Sequence, residues 1–385
     1  MVRRNPHWHD LWVKLLKVLN QLFHGDCLDI LRRLHTEANA QPLIDLIYID
    51  PPFNSGADYH YQGQRAFSDQ WRHTDYQNEL KEIQKIHPVL CDYLAANESF
   101  FPPGHMAYLV MMAHRLYYMH ALLKSNGSLY VHCDSSISHY LKVLLDILFG
   151  AENFQNEIIW QRTSAHSDPH RFGRVTDSIL FYAKDTAHMY FNPQYQEYDE
   201  EYLSKFYRYS DERGRYRLSD LTGPGKNARD QAWRGYHPGS RGRSWSVPKE
   251  ALRKIIGEEK RQGLTTVQKL DLLYEHGLIE VSSKGVPAFK RYLNTMRGVP
   301  LQNLWADILP LGPKAKEKNG YPTQKPQALL ERIILCSSKE KNLVADFFCG
   351  SGTTLAAAQK LGRDWLGCDN NKNAISIVHE RLNMI

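Results

Sequence analysis

The 385-residue sequence predicts an α/β fold with a mainly parallel sheet, interrupted by a long inserted segment. Three observations predict it. Short β-rich runs alternate with helical patterns over residues 1–183. The same alternation returns over 321–385. Between them, 184–320 is rich in Tyr, Arg, Gly and Pro and has weak periodicity, as an insertion or second domain would.

Gln21–His24 reads as a short strand ending at Gly25–Asp26, and 27–34 has helical spacing. Leu43–Ile49 is a β-rich run that Asp50–Pro51–Pro52 must end, because proline removes the ladder donor. Residues 105–123 predict an amphipathic helix stopping at Ser125–Asn126–Gly127. Ser128–His132 is the next strand, 136–149 a helix ending before Gly150, and 157–161 and 178–183 two further strands. In the last segment, 327–336 is a helix and Asn342–Phe348 a strand. Cys349–Gly352 is a tight turn, and Thr353–Leu361 a helix with Gly362 as its stop. Asp364–Cys368 is a strand ending at Asp369, and 372–382 a helix.

Hydrophobic residues make up 42% and charged ones 23%, the range of a globular chain rather than a disordered one. No run of 18 apolar residues occurs, which excludes a membrane-spanning helix. The opening MVRRNPHWHD has two arginines but no apolar stretch after them, so no secretory signal is expected. Six scattered cysteines form no CxxC pair, which argues against a disulfide framework or zinc ribbon and for a reducing, cytosolic setting. No metal is expected. The net charge is +6. Between Lys205 and Lys254 stand thirteen basic and five acidic residues, so this stretch alone exceeds that value and suits a polyanion.

Two constellations carry chemistry. In Asp346–Phe–Phe–Cys–Gly350–Ser–Gly352–Thr–Thr354, a strand enters a glycine turn and then a helix start. Glycines there allow a ligand to approach the backbone. Asp369, at the end of the next strand, can accept ribose hydroxyls. No Lys follows Gly352, so this is not the nucleotide phosphate loop, and Leu355 replaces the third glycine of the dinucleotide fingerprint. The loop suits a ligand without a pyrophosphate. In Asp50–Pro51–Pro52–Phe53, a carboxylate, free carbonyls and an aromatic face could hold an exocyclic amine and stack on its heterocycle. A strand-ending turn with a buried Phe would read the same.

The order of these motifs resembles the S-adenosylmethionine-dependent amino methyltransferases of DNA, in the circularly permuted group called the beta class. DPPF at 50–53 comes first, the basic insertion next, then TQKP at 323–326 and DFFCGSGTT at 346–354. HGDCLDIL (24–31), GSLYVHCD (127–134) and the region of RTSAH (162–166) resemble further blocks of that group. The resemblance implies a doubly wound, Rossmann-like methyltransferase sheet formed by both chain ends. It implies a catalytic half at 1–183, a target-recognition insertion at 184–320 and a cofactor half at 321–385. It places Asp50, Pro51, Pro52 and Phe53 at the target base. Phe348, Gly350 and Gly352 would line the cofactor loop, with Asp346 near the methionine end, Asp369 on the ribose and Asp26 reaching the adenine. Thr323 and Lys325 would receive the methionine carboxylate. Tyr321 stands where many relatives carry His. Cys349 reads as a small loop residue, since amino-group methylation needs no thiol nucleophile.

The expected reaction is N6-methylation of adenine in a specific double-stranded DNA site, with the base flipped into the pocket. Cytosine-N4 is the alternative target, and Asp-Pro-Pro-Phe leans to adenine. Segment 54–76 is expected to be a mobile loop over the base. Arg229, Arg234, Arg241 and Arg243, interleaved with aromatics, are expected to contact DNA. A restriction subunit could be a partner, supplying the cleavage for which this chain has no motif. A prokaryotic cytoplasmic, DNA-associated monomer or homodimer is expected. A silent DNA binder that keeps the fold is the rival from another class.

Overall fold

The computed structural model describes residues 19–61, 63–71, 76–101, 103–164, 170–225 and 232–383. It divides into two compact units, Tyr195–Leu301 and the segments on either side.

In the flanking unit the elements run β1 (Gln21–His24), α1 (Cys27–Glu37), β2 (Ile44–Ile49), β3 (Asp58–Tyr61), β4 (Gln64–Ser68), α2 (Gln77–Ile86), α3 (Pro88–Asn97), α4 (Pro103–Leu122), β5 (Leu123–Cys133), α5 (Ser138–Phe149), β6 (Phe154–Gln161) and β7 (Thr176–Ala183). After the insertion come β8 (Leu304–Trp305), α6 (Gln327–Ser337), β9 (Leu343–Asp346), α7 (Thr353–Lys360), β10 (Asp364–Asp369) and α8 (Lys372–Asn383). Eight strands form one sheet in the order β1-β10-β9-β2-β5-β7-β6-β8. Only β7 runs against its neighbours. Strands from both chain ends meet where Val344 and Ala345 pair with Leu46 and Ile47.

Every residue of β2 is buried, so both faces need cover. Alternation divides them. Ile47 and Ile49 join Leu31, Leu34, Leu116 and Leu141 on one side. Leu46 and Tyr48 join Leu330, Ile333 and Leu355 on the other. Helices thus cover both faces, and the sheet is doubly wound. Strand β2 also carries buried Asp45, which accepts from Leu343 N at 2.9 Å and from Lys124 Nζ at 2.8 Å.

Three expectations need correction. Ser125–Asn126–Gly127 does not stop a helix; α4 ends at Leu122 and these residues lie inside β5. A Cβ on Gly127 would stand 2.9 Å from the Asp45 carbonyl, so the glycine serves close strand approach. Segment 54–76 contains an antiparallel hairpin, β3–β4, rather than only loop; residues 62 and 72–75 lie outside the described residues. Tyr59 and Phe67 stack across the hairpin at 4.5 Å. Finally, the insertion is narrower than 184–320. Residues 184–194 and 302–320 belong to the flanking unit, where β8 pairs with β6. Helices α2 and α3 occupy a stretch where periodicity named no element; Pro88 opens α3, and the His87 ring accepts from Leu90 N.

The inserted unit has a four-stranded antiparallel sheet in the order Ile279–Val281, Pro287–Tyr292, Gly214–Asp220, Tyr209–Asp211. Its small core joins Leu221, Trp233, Leu252, Leu270, Leu273, Ile279 and Phe289. Tyr195–Gln196 pairs with Val299–Pro300, clasping its two ends.

Candidate functional site

At the carboxyl edge of β2 the chain leaves the sheet as Asp50–Pro51–Pro52–Phe53. Lys325 Nζ donates to Asp50 Oδ2 in an ion pair. Asp50 Oδ1 is buried and has no hydrogen-bond partner among the described residues. A buried acceptor in that state costs about 1–3 kcal/mol, so the edge is poised for a donor. Phe53 stacks on His132, with ring centroids 6.0 Å apart and planes 20° apart. His132 is fully buried at the end of β5. Its Nδ1 lies 2.9 Å from the Tyr48 hydroxyl and its Nε2 3.1 Å from Asp177 Oδ2. A ring that donates from Nε2 to Asp177 and accepts at Nδ1 from the Tyr48 hydroxyl satisfies both contacts. Burial alone would raise the Asp177 carboxyl; His132, Lys325 and Arg162 instead hold it below its usual range.

The loop after β9 has its own supports. Asp346 accepts from Phe348 N at 3.0 Å and from the Thr354 hydroxyl at 2.5 Å. Burial pushes its carboxyl up to about 7. Asp369 accepts from Gly350 N and Asn371 N, both at 2.8 Å, and burial raises it too. Gly350 and Gly352 have φ of 50° and 73°. A Cβ on Gly352 would stand 2.7 Å from Val378 of α8. One on Gly350 would stand 3.3 Å from the ring of Tyr321, which lies buried against the loop. Burial also raises the Cys349 thiol well above its usual range, which suits a small loop residue and not a nucleophile.

Both loops open on one cavity of about 470 Å³. Of the sequence-selected residues, Asp26, Asp50, Pro51, Pro52, Phe53, Thr323, Lys325, Asp346, Phe348, Gly350 and Asp369 line it. Gly352 lies behind it, against α8. Several of these residues are engaged within the protein. Asp26 caps α1 through Leu28 N and is held by both oxygens to Arg115 Nη2, at 2.8 and 2.9 Å. Lys325 is engaged with Asp50, and its Nζ lies 3.4 Å from the Thr323 carbonyl. Both oxygens of Asp346 serve its own loop.

Sequence reasoning missed Tyr48, Asp69, Arg115, His132 and Asp177. His132 stands in the GSLYVHCD block already singled out; the others carry no local signature.

In the inserted unit, Arg234 lies over the Tyr274 ring at 3.8 Å and Arg241 over Tyr236 at 5.6 Å. Arg243 is tied into its own hairpin, donating to the Thr222 hydroxyl and carbonyl, both at 2.8 Å. Arg229 lies outside the described residues. Arg217 and Arg291 face each other across two paired strands, each with a buried Nε that has no hydrogen-bond partner among the described residues. Like charges so placed oppose folding unless an anion joins them.

Residues 44–380 match the family model described as DNA methylase, N6_N4_Mtase. The chain is 30% identical over 339 residues to the type II methyltransferase M.EcaI of Enterobacter cloacae, covering 87% of this chain and 64% of that protein. It is 27% identical over 364 residues to the Mod subunit of the type III restriction-modification enzyme StyLTI of Salmonella typhimurium, covering 90% and 50%. The chain thus spans between half and two thirds of the length of these curated relatives. Among solved structures, the M1.HpyAVI–SAM complex aligns over 94% of this chain and 98% of its own, with 16% identity and a TM-score of 0.44.

Proposed function

The chain belongs to the N6/N4 DNA methylase family, and from that membership we propose that it transfers a methyl group from S-adenosylmethionine to the N6 amine of adenine in a specific DNA sequence. The observation that carries this reading is Asp50. One of its oxygens is held by Lys325, the other is buried without a hydrogen-bond partner among the described residues, and Asp50 lines the cavity that the glycine loop also lines.

That cavity fits the cofactor. Its volume is in the range of small-molecule sites. It offers the aromatic faces of Phe348 and Tyr321, exposed loop backbone at Gly350, and the carboxylate of Asp369. Phe348, Gly350 and Asp369 would hold the nucleoside part, and Thr323 and Lys325 stand by the remainder. When bound, S-adenosylmethionine supplies an electrophilic methyl group. The protein's own residues position the acceptor. Asp50 Oδ1 accepts one amine hydrogen, and the Pro51 carbonyl accepts the other. Holding both draws lone-pair character onto the nitrogen. Phe53, backed by His132, offers the stacking surface for a flipped base. As the nitrogen gains the methyl group it sheds one proton, which Asp50 Oδ1 is placed to accept; otherwise the site is asked only for positioning and electrostatics.

The inserted unit recognises the DNA in this reading. Arg217 and Arg291, Arg234 and Arg241 are its phosphate-directed cations, with Arg243 acting mainly as a brace for its own hairpin. Two related outcomes stay within the same mechanism. The target can be cytosine N4, whose amine makes the same demands on Asp50. The chain can also act as a modification subunit with a restriction partner, as the name of its Salmonella relative suggests.

Nucleoside mass spectrometry of DNA from a methylation-deficient host expressing this chain tests the proposal. N6-methyladenine supports it. N4-methylcytosine keeps the mechanism and changes the target. Neither product, with purified protein that also fails to bind the cofactor, overturns it.

A further inference from the structure

The backbone of the Asp50–Phe53 motif is held by a residue outside the motif. Asp69, just past hairpin β3–β4, is 1% exposed. Its Oδ2 accepts from Phe53 N at 3.1 Å and Ser55 N at 2.7 Å. Its Oδ1 accepts from Asn54 N at 2.7 Å and from the indole N–H of Trp71 at 3.3 Å. Three consecutive amides therefore converge on one carboxylate. Consecutive amides point to one side only when the backbone alternates hand, and Asn54 has φ of 61°. The main chain adds a ladder: Gly56 N donates to the Asp69 carbonyl at 3.0 Å, and Asp69 N to the Ala57 carbonyl at 2.9 Å.

The same hairpin is fastened at the cofactor end. Asn371 Nδ2 donates to the Ala66 carbonyl at 2.6 Å and the Arg65 carbonyl at 3.2 Å. Asn371 N donates to Asp369 Oδ1 at 2.8 Å. A path of hydrogen bonds joined by the main chain of β4 thus runs from Asp369 through Asn371 to Asp69, and on to the amides of residues 53–55.

We propose that Asp69 is a positioning residue for methyl transfer: it fixes the Asp50–Phe53 segment, and hairpin β3–β4 holds that segment in register with the cofactor strand. The inference rests on the methyltransferase reading for its rate consequence, though the clamp itself does not. Asp69 lines the same cavity, but both its oxygens are taken by the amides of residues 53–55 and the Trp71 indole, so it acts here through the backbone it holds. It sets where Asp50 and the Phe53 ring stand, and misplacement by about 1 Å can cost up to about a hundredfold in rate.

Asp69→Asn keeps the size but turns two amide hydrogens toward backbone donors. Hydrogen exchange at residues 53–55 and steady-state methyl transfer are measured together, with calorimetric cofactor affinity alongside. Expected are faster exchange confined to 53–57, a kcat lowered about tenfold or more, and a cofactor Kd changed by less than about twofold. Asp69→Glu, which restores the charge one methylene further out, recovers part of the protection and part of kcat. Unchanged exchange at 53–55, or unchanged kcat with exchange increased, overturns the proposal. So does a uniform rise in exchange across the unit, which would mark a general stability role. If Asp69→Asn does not fold, Asp69→Glu is judged by the same exchange criterion. If the native chain transfers no methyl group, the functional reading fails while the exchange comparison still decides the clamp.

Discussion

Two loops leave neighbouring parallel strands at the same edge of the sheet and are finished differently. After β9, the glycine loop satisfies itself. Asp346 and Asp369 accept its amides and a hydroxyl, and Tyr321 and Val378 close on its glycines. After β2, the Asp-Pro-Pro-Phe loop is held from outside by Asp69, and Asp50 keeps one buried oxygen without a donor. The first loop is complete before any ligand arrives. The second keeps an acceptor in reserve. On the proposed function, the first would give the cofactor a stiff surface and the second would hold that acceptor for the amine.

The sharpest way to break this comparison is Asp50→Ala. Methyl transfer should fall by at least about 10²–10³-fold with cofactor affinity by calorimetry nearly unchanged. Retained turnover would remove Asp50 from the chemistry. Asp369→Ala strikes the other loop and should do the reverse. It frees the Gly350 and Asn371 amides, and cofactor affinity should weaken about tenfold, or ~1.4 kcal/mol. Unchanged affinity would move the ribose site elsewhere. Gly352→Ala should destabilise the fold by about 1–3 kcal/mol in urea titration, since the added Cβ meets Val378 at 2.7 Å and the backbone has φ of 73°. A stability loss below about 0.5 kcal/mol would show that α8 yields freely.

The smallest expected effect is a pH slope. Burial raises the Asp346 carboxyl from 3.8 to about 7, so the folded state binds a proton that the unfolded state has released. Its contribution to stability is fully present below about pH 4 and is lost as pH rises towards 7. Asp346→Asn should remove that part of the pH dependence of Tm. An identical Tm–pH curve for the variant would mean that Asp346 is ionised throughout.

Much of this was legible in the sequence, for reasons that are local. Pro51 and Pro52 end β2 wherever they occur, and the register of apolar residues in 43–49 demands a strand. Gly350 and Gly352 mark a turn in any context. The structure brings eleven of the residues selected at those motifs around one cavity. The errors are also local in origin. Gly127 was read as a helix stop because glycine after a helix usually is one; here it admits a neighbouring strand. Polar residues 54–76 read as loop because β3 and β4 are short and pair only with each other. That Arg243 is also tied to Thr222 left no trace in the sequence, because charge in a sequence carries no record of its partner.

The seven main strands expected along the chain, the prolines that end β2, the glycine turn and the order of the motifs were legible, because each depends on the backbone preferences of adjacent residues. Which side chains meet was settled only by packing. Asp69 reaches residues 53–55 from 14 to 16 positions away. His132 lies beneath Phe53 from a different strand, and Lys325 reaches Asp50 across 275 positions. Which buried donor answers which buried acceptor is settled when distant segments are brought into one low-dielectric space, and nothing in the neighbouring residues encodes it.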